Sequence, residues 1–581
     1  MNGIAGFCNV HLDLRNNSNL SILEKMRKSI SHRGIISSNY FCNHESYDEL
    51  LMDGNVFNKE YLKGEQKSDS EIMFNGIREQ GIDFLNKVNG TFAGAFWNKN
   101  EQTLYLFRDQ LGVKPLFYTV KNDTLVFASE MKALFKFPEI EAIVDEVGLC
   151  EIFGVGPART ENLGVFKNIY SVRPGHFAIW NKDGFKEIKY WDLDSKDHKD
   201  DYETTLDTTS TLLKEAVKCR TRTSSNICSL LSGGIDSSLV SAIAKIDLEE
   251  RGMKQLDTYS FEYTDNEKYF KANAFQPESD SPWAAKMAEY LKSNQRVLVC
   301  DPSNLKDLLK DAMIARDLPG MGDIDSSLLY FCGLIKNNND TALTGECADE
   351  VFGGYPWFHK EELLSSDTFP WSRDVEVRKM ILNEDMNKKL NIGDYARNRY
   401  DETIKNVPLL DSDDSFSKRK REINYLTIKW FMMTLVDRMD RMASYKGLGA
   451  RVPFADINLV EYVWNVPWSM KVKDDVVKSL LRESSKGLLP DEILFRKKSP
   501  FPKTYNPNYE KLLIDELEEI LKDKSSPILQ FVDESKIKIL TESPSNYGKP
   551  WYGQLMAGPQ QLAYLIQINQ WFKHYKVKVE I

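Results

Sequence analysis

The segment that most constrains the fold is a short apolar run that leads into two adjacent glycines and then into a helix-forming stretch. Residues 227–231 are apolar or small, residues 232–238 read SGGIDSS, and residues 239–246 are mostly Leu, Val, Ile and Ala. Glycine lets the backbone turn sharply, and a helix N-terminus adds donors and positive potential for an anion. The pattern predicts a buried strand, a phosphate-binding turn and a helix.

The rest of the second half repeats strand and helix signals in alternation. QLDTYSFEY and NQRVLVC read as strands, SPWAAKMAEYLK lies between them as a helix, and DTALTGECADEVFGG supplies another strand and turn. Such alternation is typical of a mostly parallel sheet, whose ligands bind at the carboxyl ends of the strands. Beyond about residue 390 the pattern is almost all helical.

The first half, up to residue 195, is rich in short apolar and aromatic strands. TFAGAFWN, TLYLFRD, LFYTVKN and TLVFASE are separated by turn residues, and helices are predicted over residues 20–31 and 70–88. This mixture predicts two stacked antiparallel sheets with helices outside. We therefore predict one domain over residues 1–195 and a second over residues 205–581, joined by a charged, solvated linker near residues 195–203.

Composition restricts the class of protein. The chain has 581 residues, a net charge of −10 and eight cysteines that form no CxxC pair. The negative charge argues against a nucleic-acid-binding surface, and scattered thiols are typical of a reduced, cytoplasmic protein rather than of a disulfide framework or zinc site. No apolar run is long enough for a membrane span, and the N-terminus lacks the apolar region of a signal peptide. We expect a cytoplasmic multidomain enzyme or binding protein.

The residues of the glycine turn indicate nucleotide chemistry. A carboxylate at Asp236 would repel phosphates unless it holds Mg²⁺ between itself and them. The turn differs from the GxxxxGK[ST] loop and matches the pyrophosphate loop of enzymes that split ATP between its α- and β-phosphates. A second acidic turn, TGECADE, is expected to present Asp349 as a further Mg²⁺ ligand and Glu346 towards the reacting carbonyl. ATP and Mg²⁺ are the predicted cofactors, and the predicted nucleotide-binding residues are Leu231, Ser232, Gly233, Gly234, Asp236, Ser237, Ser238, Thr344 and Gly345.

Four longer motifs carry a resemblance to a known family. LSGGIDSS, TGECADEVFGGYPWF, DRMASYKGLGARVPFAD and FRKKSPFPKT resemble the bacterial asparagine synthetases of the glutamine-hydrolysing type, and the resemblance extends from GIAGF to the C-terminal part. It implies an N-terminal αββα sandwich of the N-terminal-nucleophile hydrolase type. It also implies a C-terminal parallel-sheet α/β pyrophosphate-loop synthetase domain with a helical C-terminal part.

The resemblance implies a reaction as well. A carboxylate attacks the α-phosphorus of Mg-ATP, which gives an acyl-adenylate and pyrophosphate, and ammonia then attacks the acyl carbon and expels AMP. Lys478 matches the family's lysine near the phosphates, although by itself it reads as a solvated helix lysine. Glu346 matches the carboxylate that takes a proton from ammonia. One departure is Gly449, where the family usually has Glu; if that Glu orients Arg451 or touches substrate, the acceptor specificity has shifted.

The first half departs from the family at the positions that hydrolyse glutamine. In the family the second residue is the Cys nucleophile, but this chain has Asn2. The family's Asn-Gly-Glu triplet, which forms the oxyanion hole and holds glutamine, aligns with Asp53, Gly54 and Asn55. The segment that carries a glutamine-binding Arg is shortened, and Asp69 alone still matches a glutamine contact. These losses predict an inactive glutaminase domain that is retained as a scaffold.

The leading hypothesis is an ATP-dependent amide synthetase that converts aspartate to asparagine with free ammonia or another amine. Amidation of a cell-wall diaminopimelate carboxylate stays open, as does a ligase resembling β-lactam synthetase or lasso-peptide cyclase, in which the substrate supplies the amine. A non-catalytic partner protein and a tRNA-modifying pyrophosphatase are weaker alternatives, because the chemical residues are retained and the chain is acidic. The expected partners are a small-molecule carboxylate and ammonia or an amine, without nucleic acid or membrane. A homodimer is common in the family, and docking of a separate glutaminase stays open.

Overall fold

The computed structural model describes most of the chain. It covers residues 3–9, 17–34, 48–64, 66–222, 226–253, 255–272, 278–372, 375–542, 544 and 550–581. Asn2 lies outside the described residues, so the prediction made at this position has no structural counterpart.

Two antiparallel sheets stack in the N-terminal half. A four-stranded sheet has the order β1-β6-β5-β8, and a five-stranded sheet has the order β10-β9-β4-β3-β2. Their strands are β1 (Ala5–Asn9), β2 (Glu49–Val56), β3 (Gly90–Asn98), β4 (Thr103–Arg108), β5 (Phe117–Lys121), β6 (Thr124–Ala128), β8 (Tyr170–Ser171), β9 (His176–Asn181) and β10 (Gly184–Lys189). Cys8, Leu106 and Phe127 are among the fully buried side chains between the sheets.

Helices cover the outer faces of both sheets and complete the predicted αββα sandwich. They are α1 (Asn17–Ser29), α2 (Asp69–Gln80), α3 (Met131–Leu134) and α4 (Glu146–Cys150), with 3₁₀ turns at Ser31–Arg33 and Ile82–Lys87. Ser68 and Glu71 form a capping box that begins α2. The predicted helix over residues 70–88 is two elements, because Gly81 takes a φ of 75° that a helix cannot continue through.

A five-stranded parallel sheet forms the centre of the C-terminal half, as the alternating pattern predicted. Its order is β13-β12-β11-β14-β15, and its strands are β11 (Ile227–Leu230), β12 (Asp257–Tyr263), β13 (Asn294–Cys300), β14 (Thr341–Leu343) and β15 (Gly449–Arg451). The edge strand β15 was not predicted, because three residues without an apolar pattern carry no strand signal. Its register sets Thr341 beside Gly449 and Leu343 beside Arg451.

Helices surround this sheet and build the C-terminal part. Those up to the second acidic turn are α5 (Tyr202–Thr221), α6 (Ile235–Glu250), α7 (Asn266–Tyr269), α8 (Ser281–Leu291), α9 (Pro302–Asp307), α10 (Leu309–Arg316), α11 (Asp323–Lys336) and α12 (Ala348–Phe352). Those that follow are α13 (Glu361–Leu364), α14 (Glu376–Ile381), α15 (Glu384–Leu390), α16 (Ile392–Lys405), α17 (Ser415–Leu426), α18 (Met433–Tyr445), α19 (Ile457–Asn465), α20 (Trp468–Lys471), α21 (Ser479–Ser484), α22 (Asp491–Leu494), α23 (Pro507–Lys522), α24 (Glu534–Glu542) and α25 (Gly558–Tyr575). A π-helical turn, Thr427–Met432, joins α17 to α18. None of the helices in the described part of the chain has the length and apolarity that crossing a membrane requires.

The two halves are joined by more than a solvated linker. The charged segment that follows residue 194 packs along α19: the Lys196 N–H donates to Asn465 at 2.6 Å, and the Tyr462 hydroxyl donates to Asp200 at 2.8 Å. Farther away, β7 (Ile143–Asp145) pairs in parallel with β16 (Lys578–Glu580). The prediction of a solvated linker is therefore wrong. A run of charged residues gives no sign in the sequence of the hydrogen bonds that fix this segment against α19.

Candidate active site

A cavity of about 230 Å³ opens at the carboxyl edge of the parallel sheet. This is where an α/β sheet normally binds its ligand. Four chain segments meet there: the turn after β11, the turn after β14, the loop before α21 and the loop after α22. Of the residues predicted from the sequence, those that line the cavity are Leu231, Ser232, Gly234, Asp236, Ser237, Thr344, Gly345, Glu346, Asp349 and Lys478. Gly233 and Ser238 belong to the same turn, but are not in the cavity wall.

The turn after β11 has the backbone shape of an anion-binding loop. Gly233 has a φ of 73°, and a Cβ there would lie 2.4 Å from the carbonyl carbon of Trp283, so the position excludes any larger residue. The Ser237 hydroxyl accepts from the Ser232 N–H at 3.1 Å and closes the turn. Helix α6 begins at Ile235 without a side-chain cap at Gly234, so its first N–H groups are available to a ligand.

The turn after β14 packs directly against this loop. A Cβ on Gly345 would lie 2.6 Å from the Ser237 nitrogen and 2.8 Å from the carbonyl carbon of Asp236. Cys347 follows with a φ of 76°, a conformation that non-glycine residues rarely adopt and that concentrates at functional sites. The turn thereby brings Glu346 and Asp349 into the cavity on either side of one strained residue.

Two carboxylates and two lysines form the charged centre of the cavity. Lys478 Nζ lies 2.8 Å from both carboxylate oxygens of Asp236 and 2.5 Å from Asp349 Oδ1, and Lys498 contacts the other oxygen of Asp349. Burial opposes the charge on Lys478, but Asp236 and Asp349 outweigh it and raise its pKa. Burial also raises the pKa of Asp236, against the attraction of Lys478. The pKa of Asp349 is lowered, because two lysines outweigh its burial.

The backbone around Lys478 is shaped for this contact. Lys478 has a φ of 58° immediately before α21, which is a second strained non-glycine position in the site. A Cβ on Gly354 would lie 1.8 Å from Asp349 Oδ1 and 2.3 Å from Lys478 Cε. Only glycine therefore allows the ammonium and the carboxylate to meet, which the isolated lysine in the sequence could not show.

The donor set fits Mg²⁺. Asp236 and Asp349 both converge on the position of one cation, which Lys478 Nζ takes here, and carboxylate oxygens are the ligands that Mg²⁺ prefers. In the described residues no third potential ligand joins the two carboxylates. This suits an ion that keeps several waters and phosphate oxygens among its ligands.

Glu346 is held by an arginine that the sequence analysis did not single out. Arg438, from α18, contacts Glu346 Oε1, while Glu346 Oε2 is buried without a hydrogen-bond partner. The Arg438 guanidinium also lies 5.0 Å from the centre of the Phe501 ring. Glu346 therefore lines the cavity and keeps one carboxylate oxygen with unused acceptor capacity.

Aromatic side chains form another part of the cavity wall. Tyr355 and Phe431 line the cavity and pack edge to face at 5.2 Å, and Trp357 and Tyr552 stack behind them. The Tyr355 hydroxyl donates to Glu350 at 2.7 Å. Burial, together with the charge of Asp349, raises the pKa of Glu350 to about 7. This part of the wall is therefore rigid and largely apolar.

Two side chains of the loop after α22, Arg496 and Lys498, complete the charged rim, and the sequence analysis did not single them out. Arg496 donates to Asp280 at 2.5 Å and to the Ser232 carbonyl at 3.1 Å, so it ties the loop after α22 to the glycine turn. Lys498 lies two residues farther along. The FRKKSPFPKT motif was the available signal for Arg496 and Lys498, but charged residues in sequence are usually solvated.

In the N-terminal half, side chains at the positions aligned with the family's glutamine site already have hydrogen-bond or ion-pair partners within the protein. Asp53 is fully buried and accepts from Arg33 at 2.8 Å. The Asn55 side chain donates to Asp69 at 3.0 Å, and Lys59 pairs with the same carboxylate at 3.0 Å. Gly54 has a φ of 135°, and a Cβ there would lie 2.0 Å from the Thr91 carbonyl oxygen.

Gly449 lies away from the cavity. It is the first residue of β15 and pairs with Thr341 at the amino end of β14, whereas the cavity is at the carboxyl end. A Cβ there would lie 3.2 Å from the Asp340 carbonyl oxygen, which is tight packing. Of the two roles considered for this position, orienting Arg451 or touching substrate, direct contact with substrate in the cavity is not favoured, because strand direction places Gly449 at the opposite edge of the sheet.

Comparison with known proteins agrees with this geometry. The family model described as asparagine synthase matches residues 208–573, which include every residue of the cavity named above. The chain belongs to the asparagine synthase family. Members of this family are ATP-dependent amide ligases. A glutamine amidotransferase domain model matches residues 41–191. That match begins after Asn2 and Arg33.

Several curated asparagine synthetases are similar over most of their length. Asparagine synthetase [glutamine-hydrolyzing] 3 from Bacillus subtilis is 42% identical, over 91% of this chain and 88% of that protein. Asparagine synthetase [glutamine-hydrolyzing] 1 from the same organism is 26% identical, over 86% of this chain and 87% of that protein. Amidase chyE from Penicillium rubens is 27% identical, over 81% of this chain and 79% of that protein.

Proposed function

We propose that the chain adenylates aspartate with ATP and converts the adenylate to asparagine with free ammonia rather than glutamine. The observation that carries the proposal is the meeting of Asp236, Asp349 and Lys478 beside the glycine turn, with Glu346 in the same cavity. Residues 205–581 carry this chemistry, and residues 1–195 are the glutaminase-like domain.

The first step forms the adenylate. A carboxylate oxygen of aspartate attacks the α-phosphorus of ATP, the bond between the α-phosphorus and the bridging oxygen breaks, and pyrophosphate leaves. The N–H groups of the glycine turn and of α6 bind the leaving pyrophosphate. Lys478, which lies 2.8 Å from Asp236, supplies a positive charge for the negative charge that grows on the pyrophosphate. Mg²⁺, held by Asp236 and Asp349, would neutralise part of that charge.

The second step forms the amide. Ammonia attacks the acyl carbon, the bond from that carbon to the AMP oxygen breaks, and AMP leaves. The attacking nitrogen must lose one proton, and the free oxygen of Glu346 is the acceptor within the cavity. Arg438 contacts the other oxygen of this carboxylate and so holds the side chain in place.

Free ammonia is the preferred donor because the glutaminase positions carry the wrong groups. An oxyanion hole needs a hydrogen-bond donor, but the side chain of Asp53 is an acceptor already paired with Arg33. Asn2 has no nucleophilic atom that could form a thioester. These features support the proposal although the two Bacillus subtilis relatives are named as glutamine-hydrolysing enzymes.

The experiment measures pyrophosphate release with ATP, Mg²⁺ and aspartate, in the presence of ammonium, of glutamine, or of neither. We expect asparagine and pyrophosphate in equal amounts with ammonium, and background with glutamine. Turnover with glutamine would contradict the ammonia proposal. Absence of pyrophosphate release in all three mixtures would contradict aspartate as the acceptor.

A larger acceptor carboxylate is the second candidate. The aromatic wall of Tyr355 and Phe431 favours it, because an apolar surface in the cavity suits a substrate with an apolar or extended body better than aspartate. Diaminopimelate carboxylates and substrates that supply their own amine belong to this class. Pyrophosphate release with such a carboxylate, and not with aspartate, would favour this candidate.

A further inference from the structure

Helix α18 connects the cavity with the N-terminal half. One side of the helix lines the cavity with Leu435, Arg438 and Met439, at the three- and four-residue spacing of a single helical face. The opposite side carries a second set of residues, all of them buried against the N-terminal half or the loop after α10: Asp437, Asp440, Arg441 and Ser444. The helix therefore contacts the cavity with one face and the N-terminal half with the opposite face.

The N-terminal half holds the second face through ion pairs. Arg33 Nη2 lies 2.6 Å from Asp440 Oδ2, and Arg33 Nη1 donates to Ser444 Oγ at 2.9 Å. Lys114 Nζ lies 2.6 Å from Asp440 Oδ1. Arg33 and Lys114 are buried, and Arg33 is fixed in turn by Asp53 at 2.8 Å. Two cations from the N-terminal half thus form ion pairs with the Asp440 carboxylate on α18.

The first turn of the helix has partners of its own: Asp437 pairs with Arg316 at 3.3 Å, and the Tyr552 hydroxyl donates to Thr434 Oγ1 at 3.4 Å. Helix α18 begins directly after the π-helical turn Thr427–Met432, and such turns interrupt the regular hydrogen bonding of a helix and are frequent at functional sites. Arg441 donates to Asp317 at 2.5 Å on the side that faces the C-terminal half. A rotation of α18 around its axis would move Arg438 away from Glu346.

We propose that the N-terminal half positions Glu346 for the amide-forming step, through the grip of Arg33 and Lys114 on Asp440 and through Arg438. This inference rests on the proposed role of Glu346. Asp440, Lys114 and Arg438 are positioning residues, since none of them needs to touch the reacting atoms. The glutaminase-like half then has a task in the synthetase reaction that does not depend on glutamine.

The test separates the two steps in the full-length protein. Exchange of labelled pyrophosphate into ATP with aspartate reports adenylation, and asparagine formation with ammonium reports both steps. In Asp440→Asn we expect asparagine formation to fall about tenfold or more, while exchange stays within about threefold, because misplacement of a proton acceptor slows only the step that uses it. Lys114→Met should give a smaller loss of the same kind, and Lys114→Arg should restore it.

A buried ion pair within the C-terminal half, beside another contact with the N-terminal half, supplies the matched control. Arg220 lies 2.8 Å from Asp456, which also accepts from Asn89 of the N-terminal half at 3.0 Å. Asp456→Asn keeps the helix cap but weakens this pair, and it should leave the ratio of amide formation to exchange unchanged. An equal fall of both rates in Asp440→Asn, or the same change of ratio in Asp456→Asn, would overturn the inference.

Hydrogen exchange gives a readout that does not need turnover. In Asp440→Asn, amide exchange should rise in residues 433–445 and also in residues 344–350, where Glu346 lies. Unchanged exchange at residues 344–350 would overturn the coupling even if α18 itself loosens. Failure of the proposed function is distinguishable, because it appears in the wild-type protein as absence of ammonium-dependent asparagine formation.

Discussion

Replacement of Gly345 by Ala tests whether the two cavity turns must touch through their backbones. The added Cβ would lie 2.6 Å from the Ser237 nitrogen, about 0.8 Å short of an ordinary contact distance of 3.4 Å. Both neighbours of the new methyl group are backbone atoms, so no flexible side chain can turn aside. The glycine turn must therefore move away from the turn that carries Glu346 and Asp349.

The size of this movement sets the expected loss. A shift of about 1 Å in a reacting group costs about 100-fold in rate, so a shift somewhat smaller than this should lower kcat/KM for ATP about 10- to 100-fold. Overpacking of this kind costs about 1–3 kcal/mol of stability, which leaves a protein of this size folded at room temperature. The loss should therefore appear as activity rather than as unfolding.

The assay is pyrophosphate release with ATP, Mg²⁺, aspartate and ammonium, with thermal melting in parallel. Gly333→Ala in α11 is the control, because its Cβ would lie 3.5 Å from the flexible Lys446 side chain, an ordinary contact. We expect Gly333→Ala to match the wild-type protein in both measurements. Activity of Gly345→Ala within twofold of wild type would refute the argument that the two turns need this contact.

Four further results are expected. Lys478→Met should lower pyrophosphate release about 100- to 1000-fold at saturating ATP, because it removes the cation that faces the leaving group, and a normal melting curve would exclude unfolding as the cause. EDTA should abolish pyrophosphate release, and Mg²⁺ should restore it; release that persists in EDTA would contradict the ion's role. Burial opposes the charge on Asp440, but Arg33 and Lys114 lower its pKa from 3.8 to about 2. Its ion pairs therefore stabilise the fold above about pH 4 and lose this effect as the pH falls towards 2, so the stability difference between wild type and Asp440→Asn should shrink over that interval in denaturant titrations. Asn2→Cys should release no glutamate from glutamine, since Asp53 stays an acceptor, and glutamate above background would contradict this.

Local patterns predicted much of the fold and the centre of the site. The strand, glycine turn and helix around Asp236 follow from residues that are adjacent in sequence, so their chemistry is visible without the fold. The alternation of strands and helices gave the parallel sheet for the same reason. The sandwich of the first half followed from short alternating strands whose apolar faces must pack on one another.

Long-range contacts could not be predicted in this way. Arg438 meets Glu346 across 92 residues, and Lys498 meets Asp349 across 149 residues. Each of these cations resembles any solvated Lys or Arg until the fold buries it. Gly449 shows a related limit, because the sequence could not tell whether this position orients Arg451 or touches substrate, and the direction of its strand places it at the far edge of the sheet.

The pairing of β7 with β16 has a consequence for folding during synthesis. Ile143 and Lys578 are partners in one two-stranded sheet although they are 435 residues apart. At a synthesis rate of about 10 residues per second, β7 emerges tens of seconds before the strand that pairs with it. During synthesis, β7 therefore lacks its partner strand until the C-terminal end of the chain has emerged. A first half produced alone would keep β7 unpaired with β16.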